Sequence, residues 1–270
     1  MNLSKEKFKK TILQYKLVKI ISGLSNFDIN YIIRLVKAAE IGQADYVDIS
    51  ANSEIVSLVK SFVKIPVCVS SINPIDLYRC TLSGADMVEI GNFDSLYIKG
   101  IVFSEDDIIK LSQETRLLLP NSIICVTIPH MLLLDQQIHL ASKLKMIGIS
   151  IIQTEGLMTK FINSLVDNYI SNSINKASLA LSSSYAISRS IDIPVISSSG
   201  INSISASISI AYEASGVGIC SLLKKIDTVC EMSVCINQIV LSLSYPIYTL
   251  AQKKTLKIHK LTETHIQTEV

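Results

Sequence analysis

The chain has 270 residues, of which 49% are hydrophobic, 25 are basic and 23 are acidic. A chain of this length and composition can bury a sizeable core, and a single domain is the default expectation. The net charge is only +2 and both signs are intermixed, so the sequence lacks the basic stripe of a nucleic-acid-binding surface. No apolar run reaches the roughly 18 residues of a membrane-spanning helix. We therefore expect a soluble protein that binds neither nucleic acid nor membrane.

The six cysteines and four histidines show no spacing that is typical of a metal site. The sequence contains no C-x-x-C motif. Cys68 and Cys125 lie inside apolar, strand-like runs, where reduced and buried side chains are expected. We predict no disulfide framework, no metal and no cofactor.

The two ends of the chain differ from its middle. Residues 1–15, which begin MNLSKEKFKKTIL, have the pattern of a short basic amphipathic helix and lack the apolar core of a signal peptide. The same run is too acidic and too poor in Arg for a transit peptide, so we expect synthesis inside the organelle if the protein works in one. Residues 246–270 are charged and Thr-rich and are predicted to form a tail. The predicted domain is 16–245.

An internal repeat indicates the fold class. The segments 42–49 (GQADYVDI) and 84–90 (GADMVEI) share a Gly, an Ala-Asp pair and a short apolar run with one acid, and looser copies start at Gly148 and Ser215. A Gly at this place is suited to end a helix and lead into a buried strand. Segments with helical spacing of apolar residues lie between the copies. The chain therefore alternates strand and helix.

Strand candidates recur along the whole domain. They are 18–24, 46–50, 66–71, 87–92, 123–128, 150–155, 194–199 and 216–221. Eight strand–helix units in a chain of this size predict an α/β protein with a (β/α)8 TIM barrel. The alternative is a doubly wound open sheet, but that fold would be expected to carry a Gly-rich dinucleotide fingerprint after its first strand. The sequence VKIISGLSNFD has none, so we predict the barrel.

Alternation along the strands predicts which side chains point to the barrel axis. When the strands are aligned on their carboxyl ends, one column is polar or small and the other consists of Val and Ile, which suit packing against helices. The predicted inward column is Lys19, Asp48, Ser50, Cys68, Ser70, Glu89, Gly91, Cys125, Thr127, Ser197 and Ser199. In the sixth strand the pattern is ambiguous, and we favour Gln153 and Glu155 over Ile152 and Thr154.

Two acids inside the barrel require a cation. Lys19 is the only basic residue within the eight strand candidates, so we predict a buried cluster of Lys19, Asp48 and Glu89. The cluster is either catalytic, with Lys19 as a base or Schiff-base nucleophile, or a structural ion network. Glu155 and His130, at the ends of two strands, are further candidates for proton transfer; for His130, packing and helix capping are the alternative.

The turns after the seventh and eighth strands are candidates for binding an anion. They contain the runs SSSG (197–200) and GVGICS (216–221), and many barrels bind phosphate there through backbone N–H groups of small-residue turns. The predicted substrate- or phosphate-binding residues are Ser199, Gly200, Gly218, Ser221, Ser70 and Thr127. A plain tight turn is the alternative, and the side chain of Cys220 is expected to crowd an anion.

Two further features lie outside the strands. The stretch 156–176 is the longest connection and is predicted to be either a lid over the pocket or a surface helix. Asn-Phe-Asp occurs at 26–28 and at 92–94, and we interpret both copies as rim turns rather than as substrate contacts of the two asparagines. In the first copy Asp28 is predicted to cap the following helix.

A family resemblance adds to this interpretation. It is carried by the motifs KIISGLSNFD (19–28), ADYVDI (44–49), PVCVS (66–70), ADMVEIGNFD (85–94), TIPHMLLLDQQ (127–137) and IQTEG (152–156). In this order they resemble the hypothetical chloroplast reading frame twenty-three family of plastids and cyanobacteria, over about residues 16 to 245. The resemblance implies a TIM barrel in the chloroplast stroma and no particular activity. The turns after the last two strands are more distantly similar to those of phosphate-binding barrels such as sugar-phosphate epimerases and thiazole synthases, although Cys220 stands where those barrels often have Gly.

Two functions are compatible with these features. The first is an enzyme of the lyase, isomerase or synthase type that acts on a small phosphorylated or carboxylated metabolite at the carboxyl ends of the strands. The second is a barrel that senses a metabolite or binds a partner without turnover, using the tail or the stretch 156–176. Homo-oligomer formation is compatible with either function.

Overall fold

The computed structural model of the chain describes residues 16–156 and 169–244, without the side chains of 169–176 and 244. The predicted N-terminal helix, 1–15, and the predicted tail, 246–270, lie outside the described residues. So does the part of the predicted lid that spans 157–168.

Parallel strands form a closed barrel in which each strand pairs with the next and the last pairs with the first. The strands are β1 (Leu17–Ile21), β2 (Tyr46–Ser50), β3 (Val67–Ser70), β4 (Met87–Ile90), β5 (Ile123–Ile128), β6 (Ile151–Thr154), β7 (Val195–Ser198) and β8 (Gly216–Ile219). Every strand overlaps its predicted segment, and the (β/α)8 TIM barrel is confirmed.

Helices surround the barrel and connect consecutive strands. They are α1 (Ile29–Ile41), α2 (Ser53–Phe62), α3 (Pro74–Leu82), α4 (Asp94–Tyr97), α5 (Glu105–Leu118), α6 (Leu134–Ile147), α7 (Tyr169–Ser190), α8 (Ser203–Ala211) and α9 (Val229–Ser244), with a 3-10 turn at Leu223–Lys225. The end of the predicted lid stretch, from Tyr169, is thus the first part of α7. Within the described part of the chain, no helix is both long and apolar enough to cross a membrane.

The helix starts follow the local sequence signals. Asp28 caps α1 as predicted, because its side chain accepts a hydrogen bond from the backbone N of Tyr31 at 3.1 Å. Ser104 and Asp107 form a reciprocal capping box at the start of α5. These caps satisfy backbone N–H groups that have no partner inside the helix.

The acidic residue of the Ala-Asp repeat ties neighbouring strands together. The carboxylate of Asp45, just before β2, accepts a hydrogen bond of 2.7 Å from the backbone N of Val18 in β1. Asp86, just before β4, does the same for the backbone N of Val67 in β3, at 2.8 Å, and also pairs with Lys60. The repeat therefore encodes a strand-to-strand contact at the amino ends of the strands.

The barrel has an outer and an inner core. The outer core consists of Val and Ile side chains of the strands packed against apolar side chains of the helices. The inner core at the amino ends of the strands is a separate apolar cluster, consisting of Leu17, Tyr46, Cys68, Met87, Ile123, Cys125, Ile151 and Ile196. The polar inward residues lie above this cluster, towards the carboxyl ends where barrel proteins place their sites.

The prediction of which β7 side chains point to the barrel axis is wrong by one residue. Ile196 belongs to the inner cluster, and Ser198 Oγ lies only 2.8 Å from the place where a Cβ of Gly218 would stand, so Ile196 and Ser198 point inward. Ser197 therefore faces outward. The run VISSS misleads because apolar residues and serines occur on both faces of the strand.

Candidate functional site

The centre of the barrel holds one ammonium group between two carboxylates. Lys19 Nζ lies 3.0 Å from Asp48 Oδ2 and donates hydrogen bonds to Glu89 Oε2 and, at 2.8 Å, to Gln153 Oε1. The side chains of Lys19, Asp48 and Glu89 are at most 1% exposed. The structure thus brings together the three charged residues that the alternating pattern selected.

Each buried carboxylate has two further donors. Asp48 accepts hydrogen bonds from Ser70 Oγ at 2.6 Å and from Asn92 Nδ2 at 2.7 Å. Glu89 accepts from Thr127 Oγ1 at 2.9 Å and from Gln153 Nε2 at 2.8 Å. Buried charges are tolerated when they are paired and hydrogen-bonded, and both carboxylates meet this condition.

The two carboxylates keep Lys19 charged. Burial is the largest single influence and opposes the ammonium form, but attraction to Asp48 and Glu89 outweighs it and raises the pKa of Lys19 well above its usual range. Burial also raises the pKa of Glu89, against the attraction of Lys19. A base or a Schiff-base nucleophile needs the neutral amine. The geometry therefore favours the structural interpretation of Lys19, and its catalytic role stays a prediction.

The same cluster has the spacing of a possible metal site. Ligand atoms of Asp48, Cys68 and Glu89 lie within 4.8 Å of one another. Lys19 already contacts both carboxylates. Burial and the charge of Asp48 raise the pKa of the Cys68 thiol, which disfavours the thiolate that binds metals. A metal ion would have to displace the ammonium group, so these residues fit a metal poorly.

A cavity of about 570 Å³ opens above the ion cluster, at the carboxyl ends of the strands. Asn92 and Gln153 belong both to its lining and to the hydrogen-bond network of the cluster. Lys19, Asp48 and Glu89 are not among the described residues that line it. The two amides therefore separate the buried charges from the cavity, whose volume is typical of small-molecule sites.

Glu155 lies in the cavity wall with one oxygen held and the other open. Its Oε1 accepts hydrogen bonds from the hydroxyl of Tyr97 and from the backbone N of His130 at 3.1 Å, and it lies 3.1 Å from His130 Nδ1. The side chain is 4% exposed, and no described residue donates to Oε2. Because an ionised carboxylate only accepts, the contact with His130 requires a proton on Nδ1. The residues around Oε1 fix the carboxylate and leave Oε2 for a ligand.

Asp94, the first residue of α4, adds a second carboxylate to the cavity lining. Burial in the cavity wall raises the pKa of its carboxyl to about 6, and repulsion from Glu155 adds to this effect, while His130 and Lys224 oppose it. The residue itself is exposed at the mouth of the cavity. This side of the cavity is acidic.

The loops after β7 and β8 form the basic side of the cavity. Lys224 is the only cationic side chain among the described lining residues. Ser199 and Gly200, also in the lining, have left-handed backbone angles, with φ of 79° and 70°. Burial raises the pKa of the neighbouring Cys220 thiol, although a hydrogen bond with Lys224 opposes this, so the thiol stays neutral. These residues can hold a small anion.

The predicted ligand-binding residues, together with Glu155 and His130 from the predicted catalytic residues, divide into two layers. Ser199, Gly200, Ser221 and Glu155 line the cavity. Ser70, Thr127 and Gly218 are not in the described lining. The hydroxyls of Ser70 and Thr127 are bonded to the buried carboxylates, and a Cβ at Gly218 would lie 2.8 Å from Ser198 Oγ and 2.9 Å from Ile21 Cδ1. The positions of Ser70, Thr127 and Gly218 speak against direct contact with a ligand. His130 contacts Glu155 rather than the cavity.

Sequence reasoning missed four residues of the site, namely Asn92, Asp94, Tyr97 and Lys224. Asn92 was interpreted as part of a rim turn, but its left-handed backbone, with φ of 62°, sends its amide back to Asp48 and Ser70. For Lys224, its position just after the turn that follows β8 could have indicated a residue of the anion site. Strand alternation does not extend into these loops, so it gave no orientation for any of the four.

The chain matches, over residues 3–249, a family model described as "Protein of unknown function (DUF561)". The "Uncharacterized protein ycf23" of Antithamnion sp. is 45% identical to it over 262 residues, which cover 95% of each chain. The protein of the same name from Cyanophora paradoxa is 39% identical over 233 residues, 86% of this chain and 94% of the relative. The ycf23 names imply a plastid setting.

Solved structures with a similar fold include TIM-barrel enzymes. (S)-3-O-geranylgeranylglyceryl phosphate synthase from Thermoplasma acidophilum, in complex with its substrate sn-glycerol-1-phosphate, has a TM-score of 0.61 at 12% identity, over 89% of this chain and 98% of that chain. Thiamine phosphate pyrophosphorylase from Pyrococcus furiosus has a TM-score of 0.56 at 15% identity, over 84% and 95%. At these identities the likeness shows the fold alone.

Proposed function

The chain belongs to the DUF561 family and to the family of the ycf23 proteins, and we propose that its barrel binds a small phosphorylated or carboxylated metabolite. The observation that carries the proposal is the cavity at the carboxyl ends of the strands, with Lys224 as its one described cationic side chain beside the turn of Ser199 and Gly200. A cation and small-residue turns at this end of a barrel are suited to an anionic group.

The cavity also limits the size and kind of ligand. Its volume of about 570 Å³ fits a small molecule, and none of the described lining residues is aromatic. A nucleobase commonly stacks on an aromatic side chain, and this support is missing. Because Cys220 stays neutral, it adds no charge that would repel an anion. We therefore favour a compact anionic metabolite over a nucleotide.

Turnover would depend on Glu155. Its Oε2 is open to the cavity while Tyr97 and His130 hold Oε1, an arrangement suited to taking a proton from a bound ligand. An enzyme of the lyase, isomerase or synthase type is consistent with this arrangement and with the phosphate synthase among the structural neighbours. We place its work in the plastid stroma, in line with the plastid setting that the names imply.

A barrel that senses a metabolite without turnover is the second candidate. It is favoured by one observation, the position of Lys19, which is fully buried below Asn92 and Gln153 and stays protonated. A barrel whose central amine is inaccessible lacks the nucleophile that covalent catalysis through a Schiff base requires. Under this proposal the ion cluster only supports the floor of the binding site.

Binding of an anion is tested with the variant Lys224→Ala and its neighbour Lys225→Ala as the control. Titration calorimetry with glycerol phosphate should show a loss of affinity of about tenfold or more for Lys224→Ala, because a charge-assisted hydrogen bond contributes about 1.5–3 kcal/mol. Lys225 is exposed and is not in the described lining, so its loss should have little effect. Equal affinities for wild type and Lys224→Ala would contradict the proposal.

The choice between enzyme and sensor is tested on a compound that the freshly purified protein retains. Native mass spectrometry identifies the compound, and incubation with excess of it follows its conversion. For an enzyme, Glu155→Gln should lose conversion and keep the affinity for glycerol phosphate, whose anionic group binds at Lys224. If the wild-type protein leaves the compound unchanged, the sensor is the better description.

A further inference from the structure

The proposed anion site uses only the basic side of the cavity. It assigns no part of the ligand to the acidic side, where Asp94 and Glu155 lie. Building on the proposed function, we propose that the ligand also carries a positively charged amine, which binds between Asp94 and Glu155 while the anionic group binds at Lys224. The ligand class is thus a small zwitterion, such as an amino-substituted phosphate or carboxylate.

The strand order places the two charged sides opposite each other. Asp94 follows β4 and Lys224 follows β8, and these strands are four positions apart in the closed barrel of eight. Glu155 follows β6, between them. All three side chains line the one cavity. The ammonium group of Lys224 lies beside the loop after β1, because an added Cβ at Gly23 would stand 3.6 Å from its Nζ. Since β1 is three positions away from both β4 and β6, a ligand that spans the mouth can meet carboxylates on one side and an ammonium group on the other.

The acidic side has a free acceptor that is nearly buried. Glu155 is 4% exposed, lines the cavity and has no described donor to Oε2. An unpartnered carboxylate oxygen on an otherwise buried side chain that lines a cavity is available to a donor group of a ligand. An ammonium group supplies both the hydrogen-bond donors and the opposite charge.

The charged groups around Asp94 leave a negative excess at this end. Glu155 from the end of β6 repels it, and His130 from the loop after β5 attracts it, but His130 is already in contact with Glu155 Oε1. Lys224 attracts it as well, and Tyr97 on the same helix donates its hydroxyl to Glu155. A ligand amine between the two carboxylates would relieve their repulsion.

This arrangement gives amine binding a characteristic dependence on pH. The pKa of Asp94 is raised to about 6, because burial and Glu155 disfavour its ionised form. Raising the pH from 5 to 7.5 therefore ionises Asp94 and strengthens the attraction for an ammonium group. A ligand with the anion alone gains nothing from this ionisation, since the new negative charge lies in the same cavity.

The test compares phosphoethanolamine with 2-hydroxyethyl phosphate, which differ only in the ammonium or hydroxyl group. At pH 7.5 titration calorimetry should give phosphoethanolamine about tenfold or more higher affinity, in line with a charge-assisted contact. At pH 5 the ratio of the two affinities should shrink. Each affinity is referred to the fraction of the probe whose phosphate is dianionic, because the ammonium group of phosphoethanolamine lowers the second pKa of its phosphate.

Variants distinguish this inference from the proposed function. Asp94→Asn should reduce the preference for the amine and keep the affinity for 2-hydroxyethyl phosphate, whereas the exposed control Asp106→Asn on α5 should change neither. Lys224→Ala should weaken both probes. Equal affinity of the two probes at pH 7.5 would overturn the inference and leave the anion site standing. If neither probe binds, the anion site and the inference fail together.

Discussion

Lys19 is held in the barrel by a closed set of hydrogen bonds. Its ammonium group contacts Asp48, Glu89 and Gln153, and both carboxylates have additional donors. The side chain is fully buried, so solvent does not screen these contacts. Removal of one member of such a network leaves the others as unpaired charges in the core.

We predict that Lys19→Met lowers the free energy of unfolding by about 3–5 kcal/mol, the range for breaking a buried ion pair by removing one partner. Urea unfolding followed by circular dichroism measures this change. Lys60→Met is the matched control, because Lys60 pairs with Asp86 at 2.7 Å but the two side chains are 28% and 20% exposed. It should cost under about 1 kcal/mol.

The same variant separates the two interpretations of Lys19. If Lys19→Met unfolds more easily but binds glycerol phosphate normally under native conditions, Lys19 belongs to a structural network. Loss of binding with unchanged stability would instead support a role in the chemistry of the site. The position of Lys19 below Asn92 and Gln153 leads us to expect the first result.

At this scale the sequence predicted the charged centre well and the rim poorly. Lys19, Asp48 and Glu89 could be placed because strand alternation fixes the direction of a side chain, and because a buried acid requires a cation. Asn92 and Lys224 lie in loops, where backbone angles and not periodicity decide the direction. The left-handed φ of 62° at Asn92 is a property of the folded turn, and the alternation of polar and apolar residues along a strand does not predict it.

At the scale of elements, the junction of β4 with its loop is the most tightly constrained turn of the site. Gly91 ends the strand, and a Cβ at this position would lie 2.1 Å from Thr127 Oγ1 and 2.4 Å from Thr127 Cβ. Thr127 in turn donates to Glu89. The absence of a side chain at Gly91 therefore lets β4 and β5 approach while both support the ion cluster.

We predict that Gly91→Ala destabilises the protein more than Gly148→Ala does. Gly148, at the end of α6, has a φ of 84° and nothing within 4 Å of the added Cβ, so its substitution costs only the backbone strain of about 1–2 kcal/mol. Gly91→Ala adds an overpacking cost of about 1–3 kcal/mol. Urea midpoints of the two variants, measured side by side, check the order; equal midpoints would contradict the close approach of Thr127.

The positions of the strands were predictable, but for β7 the prediction of which side chains point inward was wrong. In most strands a polar, small or charged residue near the carboxyl end marks the inward face, so the orientation of the side chains could be inferred, whereas β6 left two orientations open. In β7 the adjacent Val195 and Ile196 belong to different cores, and serines follow on both faces. The polarity of these residues therefore does not show which side chains point inward, and the packing of Ser198 against Gly218 determines it.

At the scale of the whole molecule, many buried groups keep their protons more tightly when the chain is folded. Burial raises the pKa values of Cys68, Cys125 and Tyr46, and the carboxylates raise that of Lys19 against the effect of burial. Burial likewise raises the pKa values of acidic groups, among them Glu89 and Asp94. These groups therefore bind more protons in the folded state than in the unfolded state, on both sides of neutrality.

A group whose pKa is raised by folding contributes stability that is complete below its unfolded pKa and is lost as the pH rises through its folded pKa. For the buried thiols the loss begins above about pH 8.5, where unfolded cysteine ionises. For Asp94 the loss is complete above about pH 6, so acidification from pH 7.5 to 5.5 restores stability rather than removing it. We predict that the free energy of unfolding at pH 5.5 is at least as high as at pH 7.5, and that it is clearly lower at pH 9.5.

Urea unfolding at these pH values in reducing buffer measures how the free energy of unfolding depends on pH. Cysteine variants show whether the buried thiols cause the decrease at alkaline pH. Cys125→Ala should make the decrease between pH 7.5 and 9.5 shallower, because it removes a fully buried thiol whose pKa burial raises. Cys230→Ala, which removes an exposed thiol, should leave the slope unchanged. A protein that loses stability between pH 7.5 and 5.5 would instead be governed by carboxylates that folding makes more acidic. Such a result would contradict the dominance of burial over pairing at Glu89 and Asp94.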